Sequence, residues 1–274
     1  MKHLPLFLST LFLGFLTLLN SGTKAQPIFT PEDTLSISCH FFTVDPIGNL
    51  YCATHDGMTK YNAARTEQWH YSNPGYGRIQ SIDATDPLNI LVFHPDFQQV
   101  LWLDRNLAEK PHPESGPVLS QELPKIICSS AQGGFWVFMP QSGRLRRFSQ
   151  ALRPEAQSLP FFEILPSFQS PVFMTESEGK VYVSQPDQGI AVFDAFGNFL
   201  SLMPLRGVER FQVMGNQLIW FSEKEMVVFD FVLQEERLFL LPETRIRSGL
   251  LMGRKVFIQT DHEIKIFRAA GRLF

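Results

Sequence analysis

Residues 41–62, FFTVDPIGNLYCATHDGMTKYN, contain two strand-like runs joined by the turn DPIGN, and then a second turn and a third run. Short runs of β-branched and aromatic residues bounded by Gly, Pro, Asn and Asp are typical of strands. A single hairpin of this size cannot bury its apolar side chains alone. The stretch therefore predicts that similar units follow it along the chain.

Five further copies align on the middle strand of this unit, and successive copies start 37 to 46 residues apart. Each copy has an apolar run before it and a more polar run after it. The six are NLYCATHDGMTKYN from residue 49, NILVFHPDFQQVLWLD from 89, GFWVFMPQSGRLRRFS from 134, KVYVSQPDQGIAVFD from 180, QLIWFSEKEMVVFD from 217 and KVFIQTDHEIKIFR from 255. Four strands per repeat of about 40 residues match a propeller blade. The pattern predicts an all-β protein, a six-bladed β-propeller of four-stranded antiparallel blades.

The repeats predict one propeller domain over residues 26–274. Its blade cores are expected at about 37–76, 77–123, 124–167, 168–206, 207–242 and 243–274. Residues 26–36 precede the first innermost strand, and we expect them to pair with the last blade and close the ring, which removes exposed strand edges. The alternative is that the segment GRLF completes the last blade and residues 26–36 only pack beside it.

The third strand of most repeats ends in an aromatic residue followed by Asn, Asp or Ser. These pairs are Tyr61-Asn62, Phe148-Ser149, Phe193-Asp194 and Phe229-Asp230, with the variants Leu103-Asp104 and Phe267-Arg268. We expect the ring to fill the space between stacked blades, and the polar side chain to hydrogen-bond the backbone of the following turn.

Residues 1–25 have the features of a secretory signal peptide. Lys2 is followed by an apolar run over residues 4–19, and small and polar residues lead to Ala25. Cleavage near Ala25 would export the protein to the periplasm, the cell surface or the medium, with no membrane span in the mature chain. The alternative is an uncleaved membrane anchor, for which the run is short because a span needs about 20 residues.

The charge balance narrows the class of partner. The net charge of the chain is −3, and cleavage near Ala25 would remove two lysines and no acid. A mildly acidic protein does not suit nucleic acid or an anionic membrane surface. We expect a protein or a glycan partner, in the cell envelope or outside the cell.

The cysteines are too few for a disulfide framework. They are Cys39, Cys52 and Cys128. If the DPIGN turn is symmetric, Cys52 faces Phe42 across the hairpin and Cys39 faces His55, so the two cysteines are predicted not to pair. We interpret all three as buried free thiols.

The segment VDPIGNLYCATHDGMTKYN, residues 44–62, resembles the repeat of the NHL and two-component-regulator propellers. The matching positions are Asp45, Gly48, Asn49, Leu50, Tyr51, Thr54, Gly57, Tyr61 and Asn62. The fourth repeat, SEGKVYVSQPDQGIAVFDAFGN, is similar to a lesser degree, and the others share only the hydrophobic spacing. The resemblance implies a six-bladed propeller, but no single activity, because such propellers include binding modules, sensor domains and a few enzymes.

The loops between the second and third strands are expected to lie on one face of the propeller, around its channel. The candidate binding residues in these loops are His55, Asp56, His94, Asp96, Gln141, Asp187, Glu223, Asp261 and His262. The three histidines belong to blades that are neighbours in a closed ring. With Asp56, Asp96 and Asp261 they form a candidate metal or small-ligand site. The alternative is that all are solvated turn residues.

The sequence contains no G-x-S-x-G motif, phosphate-binding loop or dinucleotide fingerprint. We assign no catalytic residue, metal ligand or cofactor. The protein is interpreted as an exported, non-catalytic propeller that serves as a recognition or scaffold module for a protein or glycan through its loop face. The alternative is a propeller hydrolase or lyase with a metal or polar site at the channel mouth.

Overall fold

The computed structural model describes residues 28–55, 57–271 and 273, and these form six antiparallel sheets. The predicted signal peptide lies outside the described residues, as does Asp56. Strand β1 (Ile28–Leu35) comes first, and blade 1 follows with β2 (Phe41–Val44), β3 (Leu50–Ala53), β4 (Met58–Tyr61) and β5 (Glu67–Tyr71). Blade 2 contains β6 (Ser81–Asp83), β7 (Ile90–His94) and β8 (Gln99–Leu103). Blade 3 contains β9 (Ile127–Ser129), β10 (Phe135–Met139), β11 (Arg144–Phe148) and β12 (Pro154–Gln157).

The other three blades complete the ring. Blade 4 contains β13 (Phe173–Ser177), β14 (Lys180–Gln185), β15 (Gly189–Asp194) and β16 (Phe199–Met203). Blade 5 contains β17 (Gln212–Met214), β18 (Gln217–Phe221), β19 (Glu225–Asp230) and β20 (Glu235–Leu240). Blade 6 contains β21 (Ser248–Met252), β22 (Lys255–Gln259) and β23 (Ile264–Ala270). Neighbouring blades contact one another around a central channel, and β21 also contacts β2. The predicted six-bladed β-propeller is confirmed.

Strand β1 supplies the outermost strand of blade 6. It pairs antiparallel with β23, from Ile28 opposite Ala270 to Leu35 opposite Ile264. Ion pairs reinforce this seam, since the Glu32 carboxylate lies 2.7 Å from the Lys255 ammonium group and 2.9 Å from the Arg268 guanidinium. The first and last strands of the described chain therefore share one sheet, which joins the ring.

Blade 2 departs from the four-stranded pattern. Its sheet has three strands, and the outer strand is reduced to a bridge between Leu103 and Glu109, followed by the Lys110 N–H, which donates to the Trp102 carbonyl at 2.8 Å. Pro111 and Pro113 come next. Because proline has no N–H to donate to the ladder, the strand ends there.

The hydrophobic core consists of six separate layers, each lying between two adjacent blades. Blades bury both faces in such a stack, which explains why many strands are apolar along their whole length. Among the residues predicted to end the third strands, Leu103, Phe148, Phe193 and Phe267 are buried, while Tyr61 and Phe229 are half-buried. The expected packing role of these residues is confirmed.

The polar residues at the ends of the third strands, or directly after them, form the expected turns. The Asn62 Oδ1 atom accepts the backbone N–H groups of Ala64 and Thr66, both at 2.9 Å. The Ser149 Oγ atom accepts the N–H of Arg153 at 3.1 Å. The same role is filled by Asp104, Asp194 and Asp230. These side chains satisfy backbone donors that the turn leaves unpaired.

The turn DPIGN is held by a buried carboxylate. Asp45 accepts the Asn49 N–H at 2.8 Å, the Asn49 Nδ2 at 2.7 Å and the Tyr51 hydroxyl at 2.9 Å. Gly48 has a φ of 91°, which glycine adopts without a steric cost. The polar groups of this motif in the first repeat therefore satisfy one another's hydrogen-bonding capacity.

The prediction that Cys39 and Cys52 do not pair is wrong, because the structure joins them in a disulfide with Cα atoms 5.5 Å apart. The expected register holds inside the hairpin, where Phe42 lies opposite Cys52. However, β2 begins only at Phe41, and the chain bends at His40. Cys39 therefore does not continue the strand alternation. Cys128 is a buried free thiol, as predicted.

Within the described residues, helices are few and short. They are α1 (Gly116–Leu119), α2 (Phe161–Ile164) and a single 3-10 turn over Pro74–Tyr76. None of the helices in the part of the chain that the structure describes has the length and apolar character needed to cross a membrane.

Candidate functional site

A cavity lies where the channel opens on one face of the propeller. Strands alternate in direction within a blade, so the loops between blades and the loops between second and third strands reach the same face. Both kinds of loop line a cavity of about 900 Å³ at the edges of blades 1, 2 and 3, and Arg210 of blade 5 also lines it. We call this cavity the mouth. It continues into the channel, which holds a further cavity of about 620 Å³.

One residue from each blade surrounds the entrance to the channel, and we call this set the mouth ring. Each member lies one or two positions before the innermost strand of its blade. The mouth ring consists of His40, Gln80, Lys125, Val172, Arg210 and Arg247, all of which line the channel cavity. Four of the six carry a basic or imidazole group and none carries an acid, which contrasts with the net charge of −3 of the whole chain.

Arg210 is held by aromatic rings rather than by an acid. Its guanidinium carbon lies 4.9 Å from the centre of the Phe41 ring and 5.8 Å from that of Phe173. Among the residues that the structure describes, no carboxylate oxygen lies within 4.0 Å of this guanidinium. The neighbouring Glu209 acts on it only from farther away. Cation–π contacts of this kind orient the guanidinium plane and leave its N–H donors available.

The Arg210 side chain lies inside the channel entrance, where it is both surrounded by protein and accessible to solvent. Desolvation by this protein lowers the pKa of the Arg210 guanidinium, and the charge of Glu209 opposes the shift. Arginine nevertheless stays protonated at neutral pH. The mouth therefore contains a positive charge at the channel entrance.

Other polar groups of the mouth form hydrogen bonds and an ion pair within the protein. The Gln80 Nε2 atom donates to the Lys125 carbonyl at 2.6 Å, and the His40 Nε2 atom donates to the Ile79 carbonyl at 2.8 Å. Arg78 lies 3.5 Å from the Asp96 carboxylate in an exposed ion pair. Such exposed pairs contribute little to stability and exchange readily for a ligand.

The far end of the channel has the opposite charge. Asp83 ends β6, and Glu176 lies near the end of β13, so both are remote from the mouth ring. Asp83 accepts the Ser129 N–H at 2.8 Å, and Glu176 accepts the Trp136 indole N–H at 2.8 Å. These acids are hydrogen-bonded within the protein.

Two of the predicted binding residues line the mouth. His55 and Asp96 come from the second-to-third-strand loops of blades 1 and 2, as expected, and both are exposed. Asp261 lies nearby, since its carbonyl accepts the Ser38 hydroxyl at 3.3 Å and its carboxylate is 3.5 Å from Arg247. Binding by these residues stays a prediction.

The remaining predicted residues are scattered or buried. Exposed residues that do not line the mouth are Gln141, Asp187, Glu223 and His262. The expected loop position of His94 is wrong, because it is the last residue of β7 and only 1% exposed. All residues of β7 are buried, including His94, whose ring fits between Tyr71 and Tyr76. Its Nδ1 atom donates to the Gly77 carbonyl at 3.0 Å.

The candidate metal site does not assemble from the described residues. Within residues 28–55, 57–271 and 273, no three His, Cys, Asp or Glu side chains come close enough together to hold a metal ion. Asp56, which belonged to the predicted set, lies outside those residues. His94 is buried, whereas His55 and His262 are exposed.

Several solved structures have a similar fold. Virginiamycin B lyase from Staphylococcus aureus superposes with a TM-score of 0.63 at 11% identity, covering 88% of this chain and 99% of that one. A chain of a mitotic checkpoint complex gives 0.63 at 10% identity, covering 99% of both chains. The extracellular domain of a one-component system from B. thetaiotaomicron, BT4673, gives 0.55 at 14% identity, covering 83% of this chain and 32% of that one.

These likenesses show the propeller fold. No protein-family model and no curated protein matches the chain. The NHL-type assignment therefore stays a prediction. At such low identity these structures carry no information about activity. The function of this protein must therefore be argued from the residues that line its mouth.

Sequence reasoning missed most of the mouth ring because it followed only one set of loops. His40, Lys125 and Arg210 lie in the loops between blades, directly before innermost strands. The sequence could have indicated these residues, because the repeat alignment defines where each innermost strand begins. The sequence could not have indicated the surroundings of Arg210, because Phe41 and Phe173 approach it from other blades.

The burial of His94 predicts a pH dependence of stability. Desolvation lowers its pKa below the usual 6.5, although the Gly77 carbonyl, Glu109 and Asp96 oppose the shift. The unfolded chain then takes up a proton before the folded one, so the stability contributed by neutral His94 is complete above about pH 6.5 and is lost as the pH falls towards its folded pKa. We expect the urea midpoint of the wild type to decrease between pH 7.5 and 5.5.

Two variants isolate this effect. His94→Gln keeps a donor for the Gly77 carbonyl but does not titrate, so its urea midpoint should change less over the same pH range. His70→Gln removes an exposed histidine and should keep the full decrease. An equal decrease in all three proteins would show that His94 is not responsible.

Proposed function

We propose that this protein is a non-catalytic recognition module that binds a segment of a protein or glycan at the mouth. The observation that carries the proposal is the cavity of about 900 Å³, which is open to solvent and lined by side chains from blades 1, 2, 3 and 5. A concave site with a few convergent polar groups is the usual form of a binding site. The rigid blades behind it position loops that are free to vary.

The scaffold suits recognition because the mouth is preorganised. Hydrogen bonds between loops, such as that from Gln80 to the Lys125 carbonyl, hold the loops of blades 2 and 3 together. The disulfide between Cys39 and Cys52 fixes the loop that carries Ser38 and His40. A ligand that binds a preformed cavity loses less free energy in ordering the protein. Disulfides are stable mainly outside the cytoplasm, which accords with the proposed export.

The test is a binding screen that depends on the mouth. The wild type, His55→Trp and Ile47→Trp are each presented to a glycan array and to a displayed library of random peptides. His55 is exposed in the mouth, whereas Ile47 is 67% exposed in the β2–β3 turn on the opposite face. We expect ligands that lose at least tenfold in affinity with His55→Trp and are unaffected by Ile47→Trp. Ligands bound equally by all three proteins, or none at all, would contradict the proposal.

A further inference from the structure

We propose that the mouth binds an acidic peptide segment of a partner protein, with Arg210 as the anchor for one of its carboxylates. The inference rests on the proposed recognition function and specifies the ligand class. Among the described residues, three basic side chains line the mouth, namely Arg78, Lys125 and Arg210, and one acid, Asp96. This local excess of positive charge occurs on a chain of net charge −3.

Arg210 has the features of a carboxylate anchor. Phe41 and Phe173 hold its guanidinium at the channel entrance, and its charge is not consumed by a close carboxylate within the described residues. A planar guanidinium binds a carboxylate through two parallel N–H···O bonds, which add strength and directionality. Arginine beside aromatic rings is also the composition that dominates binding energy in protein interfaces.

The electric field at the mouth favours the entry of an acidic chain. Lys125 and Arg247 belong to the same mouth ring as Arg210, and Arg247 lies 3.5 Å from the Asp261 carboxylate. Of the three described acids that line the channel, Asp83 and Glu176 are at its other end and bonded within the protein. The third, Glu209, directly precedes Arg210 in the chain. Positive groups clustered in a concave site raise the local concentration of an anionic partner.

The rim of the mouth favours a peptide over an acidic glycan. Leu123 lines the mouth with 56% of its surface exposed, and Phe97 is 59% exposed between the mouth residues Asp96 and Gln98. Such apolar groups suit the side chains that accompany acidic residues in a peptide. Sugars are commonly stacked on exposed Trp or Tyr rings, and no Trp or Tyr lines the mouth in the described part of the chain.

The experiment selects peptides without assuming a sequence. A random twelve-residue library displayed on mRNA is selected in parallel on the wild type, Arg210→Ala, Arg210→Lys and Arg153→Ala. Arg153 is exposed in the β11–β12 turn on the opposite face, so its variant makes the same charge change away from the mouth. Thermal unfolding of all four proteins confirms that each is folded, and Arg210→Lys keeps the charge if alanine disturbs Phe41 and Phe173.

We expect the pools selected on the wild type and on Arg153→Ala to be enriched in Asp and Glu, and the pool selected on Arg210→Ala to lose that enrichment. The most enriched peptide should bind Arg210→Ala about 10- to 100-fold more weakly than the wild type, with Arg210→Lys in between. Replacing its acids by amides should cause a comparable loss. Its affinity should also fall between 50 and 300 mM salt.

Other outcomes overturn the inference in distinguishable ways. A wild-type pool with no acidic enrichment, or equal enrichment on Arg210→Ala, rejects an acidic peptide anchored by Arg210. If the peptides selected on the wild type nevertheless bind His55→Trp more weakly, the proposed recognition function is supported and only the acidic ligand class is rejected. The most enriched peptide, carrying a fluorescent label, can also be displaced from the wild type by competitors. If oligogalacturonate displaces it at a tenfold lower concentration than the unlabelled peptide does, the site binds an acidic glycan instead.

Discussion

Replacing Leu35 by aspartate is expected to lower the free energy of unfolding by about 4 kcal/mol or more. Leu35 ends β1 opposite Ile264 and is buried in the layer between blades 6 and 1. The substitution removes an apolar side chain from this layer and places a charge there without a partner. Because β1 is the outer strand of blade 6, its release would also expose the edge of β23 and open the ring at its joint.

Urea unfolding followed by circular dichroism measures the loss, and size-exclusion chromatography detects association through the exposed edge. Thr34→Asp is the matched control. Thr34 is the preceding residue, is exposed on the other side of β1, and lies opposite Lys265, so an acid there is tolerated. If both variants unfold at the same urea concentration, the N-terminal strand does not hold the ring together.

Replacing Phe193 by alanine is expected to cost about 3 to 5 kcal/mol of unfolding free energy. The Phe193 ring is fully buried and stacks on Phe161, with centroids 5.0 Å apart and planes at 6°. Phe199 packs on its edge at 5.7 Å. Since Phe161 belongs to the segment that follows blade 3, the substitution leaves a cavity in the layer that joins blades 3 and 4.

The control carries the same substitution three residues later. Phe196 lies in the turn after β15 and is 69% exposed, so Phe196→Ala should change the unfolding free energy by no more than about 0.5 kcal/mol. Thermal and urea unfolding of both variants provide the comparison. A cost for Phe193→Ala as small as that for Phe196→Ala would contradict the view that stability resides in the layers between blades.

The division between packing and recognition follows from the repeat. Strand residues are constrained on both faces by neighbouring blades, and little room is left there for chemistry. The positions just before each innermost strand are different, because their side chains reach the channel entrance instead of a layer between blades. Charge can accumulate at these positions without disturbing the fold, as in the mouth ring.

Local features of the sequence were sufficient for the fold. The alternation of apolar runs and turn residues every 37 to 46 residues depends on neighbouring positions in the chain, and a blade is built from such neighbours. The turn side chains Asn62 and Ser149 bond to backbone groups two to four residues away. Interactions of that range can be anticipated from sequence alone.

The two wrong predictions concern places where a strand begins or ends. The disulfide was excluded by extending the strand alternation to Cys39, whereas the chain bends at His40 before β2 starts. His94 was placed in a loop, whereas β7 continues through it and buries its ring. Strand ends depend on what packs against them, and for His94 those groups include Tyr71 and Tyr76.

The sequence by itself determined the six-bladed propeller, the packing residues that end the third strands and the turns that follow them. The tertiary structure decided which charged groups share the mouth. Arg210, Phe41 and Phe173 are separated by more than a hundred residues at the widest, and they meet only because ring closure brings one loop from each blade to the same entrance. The DPIGN turn is determined locally, while the surface proposed for recognition exists only in the closed ring.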